Sequence, residues 1–188
     1  MKTIVIYYSF SGNTKALAYK KAQELGADIE EIIEVKRPIM PIGIHRAVNR
    51  VGTEIHPIES QLDDYDEIII MSPVWAEHPV SAIYSLIDCL PKGKSVELVM
   101  VSGGGGTRIS CEGTKALVVD RGCEVVRYTD VTVKVNRKTG EVTTKALEKL
   151  EKGSDLSYLV PIVMVGGIVL LLAVAYVWGR MNSKRKTM

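Results

Sequence analysis

The sequence predicts a doubly wound α/β domain followed by one membrane-spanning helix. Short apolar runs alternate with segments of helical period from residue 2 to 152, the pattern of a parallel sheet whose crossovers are helices. The composition then changes abruptly to an uncharged apolar run from Leu159 to Trp178. A chain of 188 residues has room for one ordinary domain and an appendage. The expected division is a domain over 1–153 and an anchor over 154–188, its helix at about 158–178.

Ile4 to Tyr8 is continuously apolar, as in a strand covered on both faces, and the run is too short and lacks the cleavage site of a signal peptide. Asn13 to Leu25 places Ala18, Ala22 and Leu25 on one helical face, with Gly26 as the stop. Ile29 to Val35 reads as the second strand. Ile68 to Met71 reads as the third, entered through the solvated acidic turn Asp63 to Glu67. Val80 to Leu90 is a helix, Val96 to Val101 a fourth strand, Thr114 to Arg121 a helix and Cys123 to Val133 a fifth strand. Thr139 to Lys152, apolar at Val142, Ala146, Leu147 and Leu150, predicts a closing helix.

Between Lys36 and Pro57 three prolines, two glycines and a short helix around Ile44 to Val51 replace a regular crossover. Irregular connections of this length are often functional, and a crossover that merely caps the sheet is equally consistent with the residues.

Charge and cysteine usage exclude several classes. Four of the 24 cations (Arg180, Lys184, Arg185 and Lys186) and none of the 22 acids lie beyond the apolar run, so the preceding residues carry 20 cations against 22 acids, a net of −2. Acids and bases are mixed there, which argues against a nucleic-acid partner. Cys89, Cys111 and Cys123 form no Cys-x-x-Cys pair and are odd in number, which points to a reducing compartment. With only three histidines besides, no metal site is expected.

Ligands of open α/β sheets bind beyond the carboxyl ends of the strands, where the strand order reverses. After the first strand stands Ser9-Phe10-Ser11-Gly12-Asn13-Thr14-Lys15, which leads directly into a helix. Backbone amides, hydroxyls and the positive end of a helix dipole suit a phosphate dianion, whereas plain helix capping by Ser11 or Asn13 is the bland alternative. The loop lacks the Gly-Lys-Ser/Thr of a nucleotide-triphosphate site and the acidic residue of a response receiver.

This loop resembles the phosphate loop of flavodoxins, which alternates hydroxyl residues and then reads Gly-Asn-Thr. The resemblance implies an FMN-binding domain with a five-stranded parallel sheet in the order 2-1-3-4-5. It assigns Ser9, Ser11, Gly12, Asn13 and Thr14 to the FMN phosphate, with Phe10 in the same cofactor-binding loop. Pro73, Val74, Trp75 and Ala76, after the third strand, resemble the loop that lays an aromatic ring against the isoalloxazine. Taken alone, a loop tryptophan is more often a packing residue. Glu77 and His78 then stand where many relatives carry a glycine, at the peptide that turns toward flavin N5. After the fourth strand, Ser102, Gly103, Gly104, Gly105 and Gly106 correspond to the loop at the pyrimidine edge. Arg108 either turns inward or is solvated, Cys111 either approaches the ring or is idle, and His78 is either a proton donor or a surface residue.

Leu159 to Trp178 spans about 30 Å of hydrocarbon as a helix. Tyr158, Tyr176 and Trp178 mark its interfaces, and Arg180 can snorkel outward. The basic tail favours an inside C-terminus under the positive-inside rule, whereas a flavin domain folded before insertion favours an inside domain, the orientation expected here. The functional expectation is a membrane-tethered FMN electron carrier that serves a redox partner protein or a quinone. An FMN-dependent quinone or related oxidoreductase with the 36–57 segment as a lid, and a flavin-free scaffold, are its rivals.

Overall fold

The computed structural model describes residues 1–135 and 142–146. Strand β1 (Thr3–Tyr7) runs into helix α1 (Asn13–Leu25), which Gly26 ends in the left-handed region, its amide turned back onto Gln23 O. Strand β2 (Asp28–Glu31) follows. The chain then crosses through α2 (Met40–Val48) to β3 (Glu67–Trp75). A two-residue strand β4 (His78–Pro79) leads into α3 (Ser81–Asp88), β5 (Ser95–Ser102), α4 (Cys111–Asp120), β6 (Glu124–Val135) and β7 (Val142–Ala146).

The sheet order is β2-β1-β3-β5-β6-β7, and the first five strands of that path are parallel. Successive residues of a strand face opposite sides. Val5, Tyr7, Ile69, Met71, Val99 and Val101 therefore pack against Ala18 and Ala22 of α1. Ile4, Ile6, Ile68, Ile70, Leu98 and Met100 meet Ile83, Leu86 and Ile87 of α3 and Val118 of α4 on the other face. Because α1 and α3 lie on opposite faces, the direction of winding reverses between β1 and β3. The carboxyl ends of those two strands are therefore where an open α/β sheet places its binding crevice.

One expected element is corrected. Val142–Ala146 is a strand antiparallel to β6, pairing Val142 with Val135 and Ala146 with Val131, where a closing helix is predicted. The β-branched run Val142-Thr143-Thr144 favours an extended chain, and the last residues of β6 run past their pairing with β5 and offer an open edge. The sheet is thus one antiparallel strand wider on this path than expected. The apolar run 159–178 lies outside the described residues; among those that are described, no helix is long and apolar enough to cross a membrane.

The 36–57 segment is pinned rather than loose. Ser85 Oγ accepts from Thr53 N and donates to Thr53 O, and Arg46 Nη1 donates to Thr53 Oγ1 at 3.2 Å. Arg50, itself at φ 54°, lays its guanidinium against Gly113 of α4, where a Cβ would collide with it.

The hydroxyl of Tyr84 is buried without a hydrogen-bond partner; the neighbouring Thr114 hydroxyl donates to Ser110 O instead. Burial pushes the phenol up to about 12 against the opposing pull of Arg50. The folded group keeps its proton where an unfolded tyrosine, near 10, has begun to lose it. Stability present below pH 10 is therefore lost as pH rises through about 12. Tyr84→Phe removes the orphan donor and is expected to raise stability by about 1 kcal/mol at neutral pH. It also flattens the alkaline fall of the melting temperature. A lower melting temperature at pH 7 would contradict this.

Candidate functional site

The chain leaves β1 at Tyr7 and turns through Tyr8, Ser9, Phe10, Ser11 and Gly12, whose φ of 91° places it in the left-handed region. A side chain there would be strained by conformation alone, because nothing crowds the Cβ position. Neither Ser11 nor Asn13 caps the helix. Ser9 Oγ does, accepting from Gly12 N at 3.1 Å and Lys15 N at 3.2 Å. The amides of Asn13 and Thr14 remain in the first helical turn, where no preceding carbonyl is positioned to receive them. Ser11 and Gly12 are exposed and Thr14 is buried. The loop presents donors and the positive end of the α1 dipole at the crevice.

At the end of β3, Pro73, Val74 and Trp75 are half-buried and still extended. The chain reverses in two residues, pairing Trp75 with His78 and Val74 with Pro79. Such a hairpin demands positive φ at both central positions. Ala76 (48°) and Glu77 (61°) supply it without a glycine. Each costs about 1–2 kcal/mol, so the turn is held by its surroundings. His78 Nδ1 donates to Ala76 O at 2.7 Å, and Ser110 Oγ donates to Glu77 O. His78 is buried, which corrects the alternative of a surface residue: its ring is needed to hold the turn.

Trp75 touches two neighbours that the sequence did not reveal. Its ring meets Phe10 edge-to-face at 5.2 Å, and Gly43 of α2 lies so close beneath it that a Cβ would stand 2.5 Å from the ring. The loops after β1 and β3 are thereby joined. Arg37 adds a third layer: its guanidinium lies 5.1 Å from the Phe10 ring and 5.7 Å from that of Tyr8, 4.0 Å from Glu34 and 3.5 Å from Ser9 O. Tyr8 donates to Glu34 at 2.7 Å. Burial, then Glu34, raises the Tyr8 phenol well above its usual value.

The loop after β5 begins at buried Ser102, whose Oγ donates to Gly105 O at 2.7 Å. Gly103, Gly104 and Gly105 are exposed, with open space at each Cβ position, and Gly105 has φ 83°. Gly106 differs, because a Cβ there would press on the Asp130 carboxylate at 2.9 Å. Asp130 Oδ1 accepts from Thr107 N at 3.1 Å and Thr107 Oγ1 at 2.8 Å, while Tyr128 shares the Thr107 hydroxyl at 2.6 Å. This network fixes the end of the glycine loop. Asp130 escaped notice because only its register opposite Met100 brings it there.

Cys111 opens α4, half-buried, its thiol raised chiefly by desolvation. That makes it a poor thiolate. A cavity of about 610 Å³ beside α1 and β2 is lined by Ala16, Tyr19, Ala22 and Ile29, away from these three loops. Among the described residues no cluster of metal-ligating side chains occurs.

No family model matches the sequence, and neither does any curated protein. Solved structures do match. A flavoprotein from Lactobacillus acidophilus NCFM, determined in complex with FMN, is similar over 69% of this chain and 92% of its own, with 23% identity and a TM-score of 0.59. Its apo form gives 24% identity and a TM-score of 0.55 over 68% of this chain and 91% of its own. The chain has a flavodoxin-like fold. A protein from Bacteroides eggerthii is similar at 21% identity, with a TM-score of 0.59 over 69% of this chain and 87% of its own.

Proposed function

We propose that the protein binds FMN non-covalently at the carboxyl ends of β1, β3 and β5 and carries electrons between a redox partner protein and a membrane-associated acceptor. The observation that carries this reading is the α1 N-terminus at the β1/β3 crevice, with the first-turn amides of Asn13 and Thr14 and the hydroxyl of Ser11 beside a loop that Ser9 holds in shape. The similar Lactobacillus flavoprotein, solved with FMN, supports it.

The residues fit the cofactor at both ends. Ser11, Thr14 and the first-turn amides of Asn13 and Thr14 would hold the phosphate dianion, with Gly12 turning the chain into the helix. The open faces of Gly103, Gly104 and Gly105 leave room for a flat ring edge, and Ser102 and Gly106 secure the ends of that loop. Pro73, Val74 and Ala76 place Trp75, which would orient the ring and exclude water from it. Phe10, at 36% exposure on a loop, is free enough to swing off Trp75 for a ring to enter. When bound, FMN supplies the one- and two-electron chemistry. The protein's share is capture, orientation and charge. A net of −2 over the residues before the apolar run repels added negative charge less than a strongly acidic domain would.

Membrane tethering through residues 159–178, with the domain on the cytoplasmic side, belongs to the same proposal. The uncharged run itself and three free cysteines support it. An oxidoreductase acting on a lipid-soluble quinone is the second reading. The seating of α2 against Trp75 favours it, because a largely apolar segment there borders the ring site.

The test is absorbance of the detergent-purified chain and its titration with FMN and with riboflavin. Flavin bands are expected, with FMN bound at least about a hundredfold more tightly than riboflavin because charge-assisted phosphate contacts are absent from the latter. A colourless protein that ignores added FMN would overturn the proposal and leave the scaffold reading.

A further inference from the structure

Half of the large hydrophobic side chains exposed among the described residues fall in one stretch of the chain. Ile33, Val35, Ile39, Met40, Ile42, Val48 and Val51 stand between 43% and 68% exposed, whereas the others are scattered along the chain. Scattered exposed apolar residues are ordinary, but a concentration of them marks a surface that meets something. Their place in the fold is definite. Helix α2 packs inward through Gly43 and Ala47, which are buried, and turns Pro41, Ile42, His45 and Val48 outward.

Charge identifies what they meet. Residues 35–53 contain Lys36, Arg37, Arg46 and Arg50 and no acid. The other residues before the apolar run carry 16 cations against 22 acids, so a stretch of +4 interrupts a background of −6. A second copy of this chain would offer mostly like charge to the basic stretch, or its own acidic surface to exposed isoleucines. A short helix with apolar groups on its outer side, flanked in the chain by the exposed cations Lys36, Arg37 and Arg50, fits the interface of an anionic bilayer, where apolar side chains enter the acyl boundary and cations meet phosphate headgroups.

The anchor reading brings this surface within reach of a bilayer. Only thirteen residue steps separate Ala146, the last residue of β7, from Leu159, where the apolar run begins. Fully extended, that linker reaches about 45 Å. We propose that the 35–51 surface, with α2 at its centre, docks on the headgroup region of an anionic membrane. The Trp75 side of the crevice, which α2 touches through Gly43, is thereby held at the bilayer. This inference takes its tether from the anchor reading above and its surface from α2. It names the acceptor side of the proposed carrier: a molecule dissolved in the membrane reaches the ring site beside α2.

The experiment places the full chain in vesicles of phosphatidylcholine and phosphatidylglycerol that contain a trace of a diazirine-bearing phospholipid. Irradiation and peptide mapping then locate the lipid adducts. Adducts are expected on 38–51, about fivefold fewer when phosphatidylcholine replaces phosphatidylglycerol. They should be lost in Ile39→Glu/Ile42→Glu, whose exposed positions leave the core untouched, while labelling of 159–178 persists. Labelling of 159–178 without 38–51 overturns the docking and leaves the anchor. Labelling of 38–51 alone supports the docking and removes the anchor, and labelling of neither overturns both. Equal labelling with either headgroup, or 38–51 coupled to a second copy in place of lipid, also overturns the proposal.

Discussion

Replacing Ser11 and Thr14 together by alanine weakens FMN binding by about three orders of magnitude, since each lost hydrogen bond to a charged phosphate contributes roughly 1.5–3 kcal/mol. Riboflavin, which has no phosphate, binds the double variant as it binds the wild type, and that contrast separates phosphate capture from general damage to the crevice. Thr14 is only 2% exposed, so its truncation also costs some packing. Melting of the variant, and of Thr14→Ser, which keeps the hydroxyl, accounts for that part. Flavin fluorescence titration reads the affinities. Unchanged FMN affinity in the double variant would remove the phosphate from the α1 N-terminus. The Ser9 cap would then be a structural device alone.

The second large effect is on stability. Leu86 of α3 is fully buried in the cluster that holds Ile4, Ile6, Ile68 and Ile70 of the sheet, Ile83 of its own helix and Leu90 just beyond that helix. Alanine is at least as good a helix former as leucine, so Leu86→Ala reports packing without a backbone contribution. The loss of transferred methylenes plus an unfilled cavity is expected to cost about 3 kcal/mol. The melting temperature of the detergent-solubilised chain then falls by roughly 10 °C. A fall of less than 3 °C would mean that α3 collapses onto the sheet with ease, and the two-faced core described above would be wrong for that helix.

Glu97 illustrates how a local reading can miss a strong constraint. It interrupts an apolar strand, and a sequence reader passes over it as one polar position. In the fold it is buried, and Lys21 of α1 reaches it at 2.9 Å. Removing one partner of such a pair would leave a buried charge uncompensated. Lys21 and Glu97 are 76 residues apart, and only the stacking of α1 on β5 brings them together.

The same distinction runs through the candidate site. The Ser9-to-Thr14 loop is legible because a strand, a glycine at positive φ and a helix start are adjacent in the chain and dictated by local chemistry. Trp75 is legible as a loop aromatic, and its partners Phe10 and Gly43 are not. His78 reads as exposed because its burial depends on a reversed chain that Ala76 and Glu77 make without the usual glycine. The helix expected over 139–152 gives way to a strand at 142–146 because an open edge of β6 outweighs amphipathic spacing. Asn136 to Gly140, rich in turn-forming residues, and the β-branched run after it are the signals that indicate a hairpin instead.

Local chemistry in the amino-acid order determined the alternation of β and α, the glycine-led helix start and the uncharged run at 159–178. Each follows from residues within a few positions of one another. Tertiary structure alone decided that Arg37 and Asp130 border the crevice, that Arg50 pins the 36–57 crossover on Gly113 and that α2 presents apolar groups outward. Those outcomes depend on strand register and helix placement, which summed packing over the whole sheet sets and no short window of sequence contains.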